Sequence, residues 1–342
     1  MSKRTRKEIK AGVVGYGGAF NMGRRHLEEM RAAGMIPAAV AEIDPDRLRE
    51  ADKDFPGIGL YSDVAGMLKD SDVDLVTLIT PHNTHAPIAL QCIKAGRHVV
   101  SEKPLAITTA DCDRMIAQAR KSGVVLSTYH NRHWDGCIRQ AVKKIRAGAI
   151  GEVVRIQGRM GAWGKPHDWW RSSKSVSGGI LYDWGVHLLE YSLQLIDSEI
   201  TEVAGFAKTG FWAPQTAWKD DTNEDEGFAV VRFASGQWLT LCVTALDANP
   251  KPGRMEVTGT RGTYVFEHTT WELITPQSKD VVIRKGKNPP DESRRYYENI
   301  VAHLQGNTPL AITPEWARRP IHILDLADRS ARQNRSLKAK YG

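Results

Sequence analysis

Lys103 stands where an apolar run stops. The segment His98-Val-Val-Ser-Glu-Lys-Pro104 presents a carboxylate at Glu102, an ammonium at Lys103 and then a proline. An ammonium there can give a proton to, or accept one from, an oxygen whose carbon gains or loses a hydride. Pro104 restricts the residue before it to extended backbone. A second constellation is Gly178-Gly-Ile-Leu-Tyr-Asp-Trp-Gly-Val-His187, with Asp183 and His187 four residues apart. On a helix that spacing puts carboxylate and imidazole on one face, where they can hold neighbouring hydroxyls and manage a proton. The same pair could instead be an Asp–His hydrogen bond that stabilises the helix. Just upstream, Trp163-Gly-Lys-Pro-His-Asp-Trp-Trp-Arg171 is dense in indoles. Trp163, Trp170 and Arg171 are candidates to hold the face and hydroxyls of a polyol, with plain packing the alternative.

A nucleotide site is expected upstream. Gly15-Tyr-Gly-Gly-Ala-Phe-Asn-Met-Gly23 follows a predicted strand and precedes a predicted helix. Gly15 permits a tight turn, Gly17 lets a pyrophosphate approach the main chain, and the helix start supplies unpaired N–H groups. The loop Gly15, Tyr16, Gly17, Gly18, Ala19, Phe20 and Asn21 is therefore the expected phosphate cradle, although Phe20 breaks the strict glycine spacing. Glu42 ends the second strand, where a carboxylate would accept ribose hydroxyls and repel a 2′-phosphate. That favours NAD over NADP. Asp44 competes for the role but is also a natural helix cap before Pro45. Thr80-Pro-His-Asn-Thr-His85 ends another strand, so Thr80, Asn83 and His85 are candidate cofactor contacts, or a polar turn that caps the next helix.

These groups need a scaffold. Short aliphatic runs at 9–14, 36–41, 75–79, 98–101 and 124–128 read as strands. Helical spacing fills the intervals at 22–33, 46–54, 86–95 and 109–122, and Asp63 caps a further short helix. Alternating strands and helices, with nearly continuous apolar strands, predict a doubly wound parallel sheet over residues 1–130. Residues 131–342 read differently. Helices are expected at 137–146, from Gly178 to about residue 196, and at 295–305 and 314–332, and successive strands occupy 200–282. Strands without intervening helices predict an α+β domain with an open, mostly antiparallel sheet. The last helix could pack back on the first domain.

The chain of 342 residues is long enough for two such domains, and its 41% hydrophobic and 25% charged residues are those of an ordinary globular protein. The net charge of +7 owes part of its excess to Lys3-Arg-Thr-Arg-Lys7 and Lys338-Ala-Lys340, read as solvated tails rather than a nucleic-acid or membrane patch. Cys92, Cys112, Cys137 and Cys242 show no paired spacing and are expected to be free thiols, with the cytoplasm as the default compartment. No apolar stretch is long enough to span a bilayer. His82 and His85, or His130 and His133, have the spacing of metal ligands, but no catalytic metal is expected beside a nicotinamide and Lys103.

With these residues laid out, the chain resembles the Gfo/Idh/MocA oxidoreductases, the glucose-fructose oxidoreductase and inositol dehydrogenase group. The resemblance runs nearly end to end. It rests on Gly15 to Gly18, Thr80-Pro81 with Asn83 and His85, and Ala95-Gly-Arg-His-Val-Val-Ser-Glu-Lys-Pro104. It continues in Gly148-Ala-Ile-Gly-Glu152, Trp170-Arg171, Gly178-Gly179 with Asp183 and His187, and Gly259-Thr-Arg-Gly262. It implies a Rossmann domain and an open-faced sheet that often forms a dimer or tetramer interface. It implies NAD(P)-dependent oxidation of a hydroxyl on a sugar, inositol or similar polyol. On this chain Lys103 would touch nicotinamide ribose and substrate, His187 would be the acid/base and Asp183 its partner. Glu102 belongs to the same element, and Arg132, in Tyr129-His-Asn-Arg132, resembles a polar stretch near the nicotinamide. Two alternatives stay open: an enzyme that keeps its NAD and oxidises the sugar ring only transiently, as in a glycosidase, lyase or epimerase, and a non-enzymatic NAD-linked sensor.

Overall fold

A computed structural model describes residues 8–18, 20–251, 254–306 and 308–340. Ala19 and the basic run 3–7 lie outside the described residues. The chain divides into two compact units: the residues up to His130 with Arg294–Arg318, and Asn131–Ser293 with the residues from Arg319 onward.

The first unit alternates strand and helix: β1 (Lys10–Val14), α1 (Met22–Ala32), β2 (Ile36–Ala41), α2 (Pro45–Asp54), β3 (Gly59–Tyr61), α3 (Val64–Asp70), β4 (Leu75–Leu78), α4 (His85–Lys94), β5 (His98–Ser101), α5 (Thr109–Ser122) and β6 (Leu126–Thr128). All six strands are parallel in the order β3-β2-β1-β4-β5-β6. Every residue of β4 is buried, as expected for a strand covered on both faces. Full burial of each Leu or Val there contributes about 1.5–3 kcal/mol. The strand order reverses direction between β1 and β4, which opens a crevice beyond their carboxyl ends. The cap named from sequence is made: the Asp63 side chain accepts from the Gly66 N–H at 2.8 Å, and the Thr108 hydroxyl caps α5 by accepting from the Asp111 N–H at 3.1 Å. β3 went unread because three residues are too few to show a period.

Residues 294–318 complete this unit, although the sequence reading placed them in the second domain. They include α9 (Arg295–Leu304), whose Tyr296 and Tyr297 are wholly buried. The Tyr296 hydroxyl donates to Ser127 Oγ at 2.8 Å, and Ser127 Oγ donates to the Ile312 carbonyl at 2.8 Å, tying the segment to β6.

The second unit carries α6 (Gly136–Arg146), β7 (Val153–Gly161), α7 (Lys174–Ser177), α8 (Gly185–Leu195), β8 (Ile200–Lys208), β9 (Glu226–Phe233), β10 (Trp238–Thr244), β11 (Met255–Gly259), β12 (Gly262–Phe266), β13 (Thr270–Gln277) and β14 (Asp280–Lys287). It ends with most of α10 (Pro314–Gln333) and β15 (Leu337–Lys338). Nine strands run in the order β14-β13-β12-β11-β7-β10-β9-β8-β15. All neighbours are antiparallel except β7 and β10. Helix α8 packs on β7 and β10. The expected α/β plus α+β architecture is observed. One expectation is corrected: the C-terminal basic stretch is not a free tail, because Lys338 pairs with Glu202 as an added edge strand, although its side chain stays exposed.

Candidate active site

The glycine loop leaves β1 at Gly15, where φ is +97° and an added Cβ would lie 2.8 Å from the Ile79 carbonyl oxygen. Only glycine makes that turn without strain. Over Gly17 the space is open, with nothing within 4 Å of where a Cβ would stand. Asn21, the N-cap of α1, makes no side-chain capping bond, so the first N–H groups of that helix are not spent on it. Open space above a glycine beside an uncapped helix start fits the pyrophosphate of a dinucleotide. The Tyr16 N–H donates to Glu42 Oε2 at 2.6 Å, and the Asp44 N–H donates to Oε1 at 3.0 Å. Glu42 is thereby locked at the carboxyl end of β2, adjacent to the loop. Asp44 has the capping role foreseen as its alternative, accepting from the Asp46 N–H at 2.9 Å. Phe20 is exposed.

Sequence reasoning missed Arg47. Its guanidinium lies across Gly18, where a Cβ would come within 2.3 Å of it. A helical arginine five residues after Glu42 carries no spacing signal of its own.

At the carboxyl end of β5, Lys103 is nine-tenths buried, and its peptide bond to Pro104 is cis. Its N–H donates to Glu102 Oε2 at 2.9 Å, and Glu102 Oε1 lies 3.1 Å from His26 Nε2. The other ring nitrogen, Nδ1, lies 2.7 Å from the Tyr297 hydroxyl, which also contacts Thr77 Oγ1 at 3.1 Å. Burial alone would raise the Glu102 carboxyl, but the hydrogen bond and charge of His26, with Lys103, outweigh it and hold it below its ordinary value. Glu102 thus supports the backbone of Lys103, and its side chain keeps 16% exposure. His26, wholly buried on α1, was invisible as a site residue because its partners come from β5 and α9.

His85 is placed differently from expectation. It is completely buried, with Nδ1 2.7 Å from the Pro104 carbonyl and Nε2 2.9 Å from the Thr80 carbonyl. Burial drives its pKa down, against the two carbonyl contacts, which raise it. It clamps the Lys103-Pro104 turn to the end of β4 and offers no edge to a ligand. Thr80 remains half-buried and accepts from the Thr84 hydroxyl at 2.6 Å. Asn83 is exposed on a groove beside α4 and α5.

In the second unit, Gly178 and Gly179 have φ of +94° and +125°, and a 3-10 turn, Ile180–Tyr182, follows. Helix α8 therefore begins only at Gly185, with Trp184 as its N-cap. Asp183 and Trp184 keep right-handed helical backbone ahead of α8, so Asp183 and His187 stay four residues apart on helical backbone. Asp183 accepts from Arg171 Nη1 at 2.9 Å, and that guanidinium lies 5.1 Å from the Trp170 ring centre and 5.3 Å from that of Trp169. His187, in the first turn of α8, is 6% exposed, and its ring centre is 5.6 Å from that of Trp184. The guanidiniums of Arg132 and Arg254 lie 4.8 and 4.9 Å from the same indole. Arg132 is fixed by Asp135 at 2.9 Å. The structure thus brings Arg132 and His187 to one tryptophan, and Trp170, Arg171 and Asp183 to one ion pair. Trp163 is 55% exposed and packs edge-on against Phe211 and Trp212. Sequence reasoning missed Arg254 and also Glu224, which accepts from the Ile180 N–H at 2.9 Å and buttresses the glycine pair.

Comparison with known proteins agrees with this architecture. The family described as "Oxidoreductase family, NAD-binding Rossmann fold" matches residues 9–130, and its companion, the "GFO/IDH/MocA C-terminal domain", matches residues 138–265. Myo-inositol 2-dehydrogenase of Thermotoga maritima is 28% identical over 339 residues, covering 96% of this chain and 98% of that protein. Levoglucosan dehydrogenase of Pseudarthrobacter phenanthrenivorans is 27% identical over 320 residues, covering 82% of this chain and 79% of that protein. The crystal structure of an NAD-binding protein from Listeria innocua superposes with a TM-score of 0.82 at 27% identity, covering 98% of both chains. A doubly wound sheet, an open glycine loop facing a strand-end carboxylate, a lysine at the end of β5 and two consecutive family matches lead to one assignment: the chain belongs to the Gfo/Idh/MocA family and is an NAD(P)-dependent oxidoreductase acting on CH–OH groups.

Proposed function

We propose that the protein is an NAD-dependent dehydrogenase that oxidises a secondary hydroxyl of a sugar, inositol or related polyol, with Lys103 and His187 as its proton-handling groups. The observation that carries the reading is Lys103, a nine-tenths buried lysine at the carboxyl end of a parallel strand in an NAD-binding domain. Relatives named for inositol and levoglucosan dehydrogenation support the substrate class. NAD, when bound, supplies the hydride acceptor. The chain's own residues do the rest. Gly15, Tyr16, Gly17, Gly18 and the start of α1 receive the pyrophosphate, and Glu42 receives the adenosine ribose hydroxyls, which disfavours a 2′-phosphate. The Lys103 ammonium donates to the substrate oxygen and stabilises negative charge there. The His187 imidazole accepts the hydroxyl proton. Asp183, held by Arg171, binds a neighbouring hydroxyl, and the Trp170 indole lies against the apolar face of the ring.

No helix among the described residues is long and apolar enough to cross a membrane, and a cytoplasmic location is proposed. Assembly as a homodimer or homotetramer is also proposed, supported by exposed Phe206, Trp238, Val281 and Ile283 on the strands of the open sheet.

The test is a panel of sugars, inositols and glycosides offered with NAD or NADP, followed by NADH absorbance and product analysis. Net NADH with a ketone product is expected. Lys103→Ala and His187→Ala should each lower turnover by about 10²–10⁴-fold while NADH still binds. Product formed without net NADH would instead favour transient oxidation on a retained cofactor, and wild-type rates in both variants would refute the assigned roles.

A further inference from the structure

A carboxylate, a thiol and an imidazole meet in the second unit outside the proposed proton-transfer groups. One ligand atom each from Asp135, Cys137 and His268 lies within 4.8 Å of the others. Asp135 and Cys137 are buried at the start of α6, and His268 sits between β12 and β13. Asp135 is already oriented: Arg132 Nη1, at 2.9 Å, and the Tyr191 hydroxyl both donate to its Oδ2. Asp291 lies beside the imidazole. Its Oδ2 lies 3.5 Å from His268 Nε2, while its Oδ1 accepts from the Gly136 N–H at 2.8 Å. Metal-bound histidines characteristically carry such a carboxylate behind the ring.

An independent observation points to the same spot. Tyr264, on β12, is completely buried, and its hydroxyl has no hydrogen-bond partner among the described residues. Its strand, β12, packs on α6, which carries Cys137. A buried hydroxyl in a native protein is normally satisfied, if not by protein then by a fixed water.

We propose that Asp135, Cys137 and His268 bind one zinc-class divalent cation, whose water ligand completes the tetrahedron and meets the Tyr264 hydroxyl. One sulfur, one nitrogen and one oxygen ligand suit zinc or cobalt, whereas calcium and magnesium require oxygen throughout. Binding forms a sulfur–metal bond as the Cys137 proton leaves to solvent, with no change of oxidation state. The cation would clip the β12–β13 turn to the start of α6. Through Asp135 it would steady Arg132, whose guanidinium lies over Trp184. Its role is positional.

Untagged full-length protein, stripped with a chelator and desalted, is titrated with Co²⁺. One cobalt per chain and a thiolate-to-cobalt charge-transfer band, displaced by Zn²⁺, are expected. Cys137→Ser should abolish the band, and Cys242→Ser should leave it intact. His268→Ala, at a side chain 44% exposed and hence harmless to folding, should weaken cobalt binding at least about tenfold. Absence of the band in the wild-type protein, its survival in Cys137→Ser, or unchanged affinity in His268→Ala would each overturn the site.

Discussion

His26→Ala removes the imidazole that joins α1 to the support of Lys103. Two contacts are lost, one to the Glu102 carboxylate at 3.1 Å and one to the Tyr297 hydroxyl at 2.7 Å. A hydrogen bond to a charged group contributes about 1.5–3 kcal/mol and one between neutral groups about 0.5–1.5 kcal/mol, so roughly 2–4.5 kcal/mol is at stake. The void left beside Tyr129, whose ring centre is 4.3 Å from that of His26, adds to the loss. A mid-range loss of about 3 kcal/mol should lower the melting temperature by roughly 6–12 °C for a unit of this size. His26→Gln, whose amide can both donate and accept, should recover about half of that, taking the partial restoration of a two-sided hydrogen bond as the guide. The acid side of the stability curve provides a second reading. The Glu102 carboxyl is held below its unfolded value, so its contribution is present above that value and is lost as pH falls through the folded one. Without His26 that acid-dependent loss should shrink. Turnover should fall more than the Michaelis constant rises, because Glu102 accepts from the backbone N–H of Lys103. Thermal melts and denaturation across pH 3–8 (about that range suffices) are the assays. A melting temperature within about 2 °C of wild type, with an unchanged acid limb, would sink the claim that this imidazole holds the strand end.

Glu42→Ala frees the Tyr16 N–H and removes the negative charge beside the adenosine end of the loop, leaving Arg47 across Gly18. The preference for NAD over NADP, measured as a ratio of kcat/KM values, should fall at least about tenfold, equivalent to about 1.4 kcal/mol. Gly15→Ala forces a side chain into φ of +97° and to 2.8 Å from the Ile79 carbonyl. It should cost about 1–3 kcal/mol and abolish NADH binding in a fluorescence titration; binding of ordinary strength would contradict the turn's proposed role. Arg171→Ala removes the 2.9 Å ion pair to Asp183 and the guanidinium beside the Trp170 ring. Substrate KM should rise by about 10–100-fold, corresponding to one charge-assisted contact of about 1.5–3 kcal/mol, with the Kd for NADH unchanged.

Residue patterning alone determined the layered sheet of the first unit. Fully buried parallel strands must be continuously apolar, and the helices covering them must repeat at 3.6 residues, so both periods were visible in the chain. Gly15, Glu42 and Lys103 were legible for a related reason: a strand end or a tight turn is a local event marked by local residue types. Asp183 shows where local reasoning stopped: its spacing from His187 was visible in the chain, but its ion pair with Arg171 was not. His85 looked like a ligand and proved to be a clamp, because two carbonyls distant in the chain enclose it. Tertiary structure alone decided that His26 lies under Glu102, that Tyr297 from α9 returns to the first unit, and that His268 meets Cys137. Such contacts join residues more than 70 positions apart. They depend on how completed elements pack, and no periodicity within a single element records the identity of its neighbour.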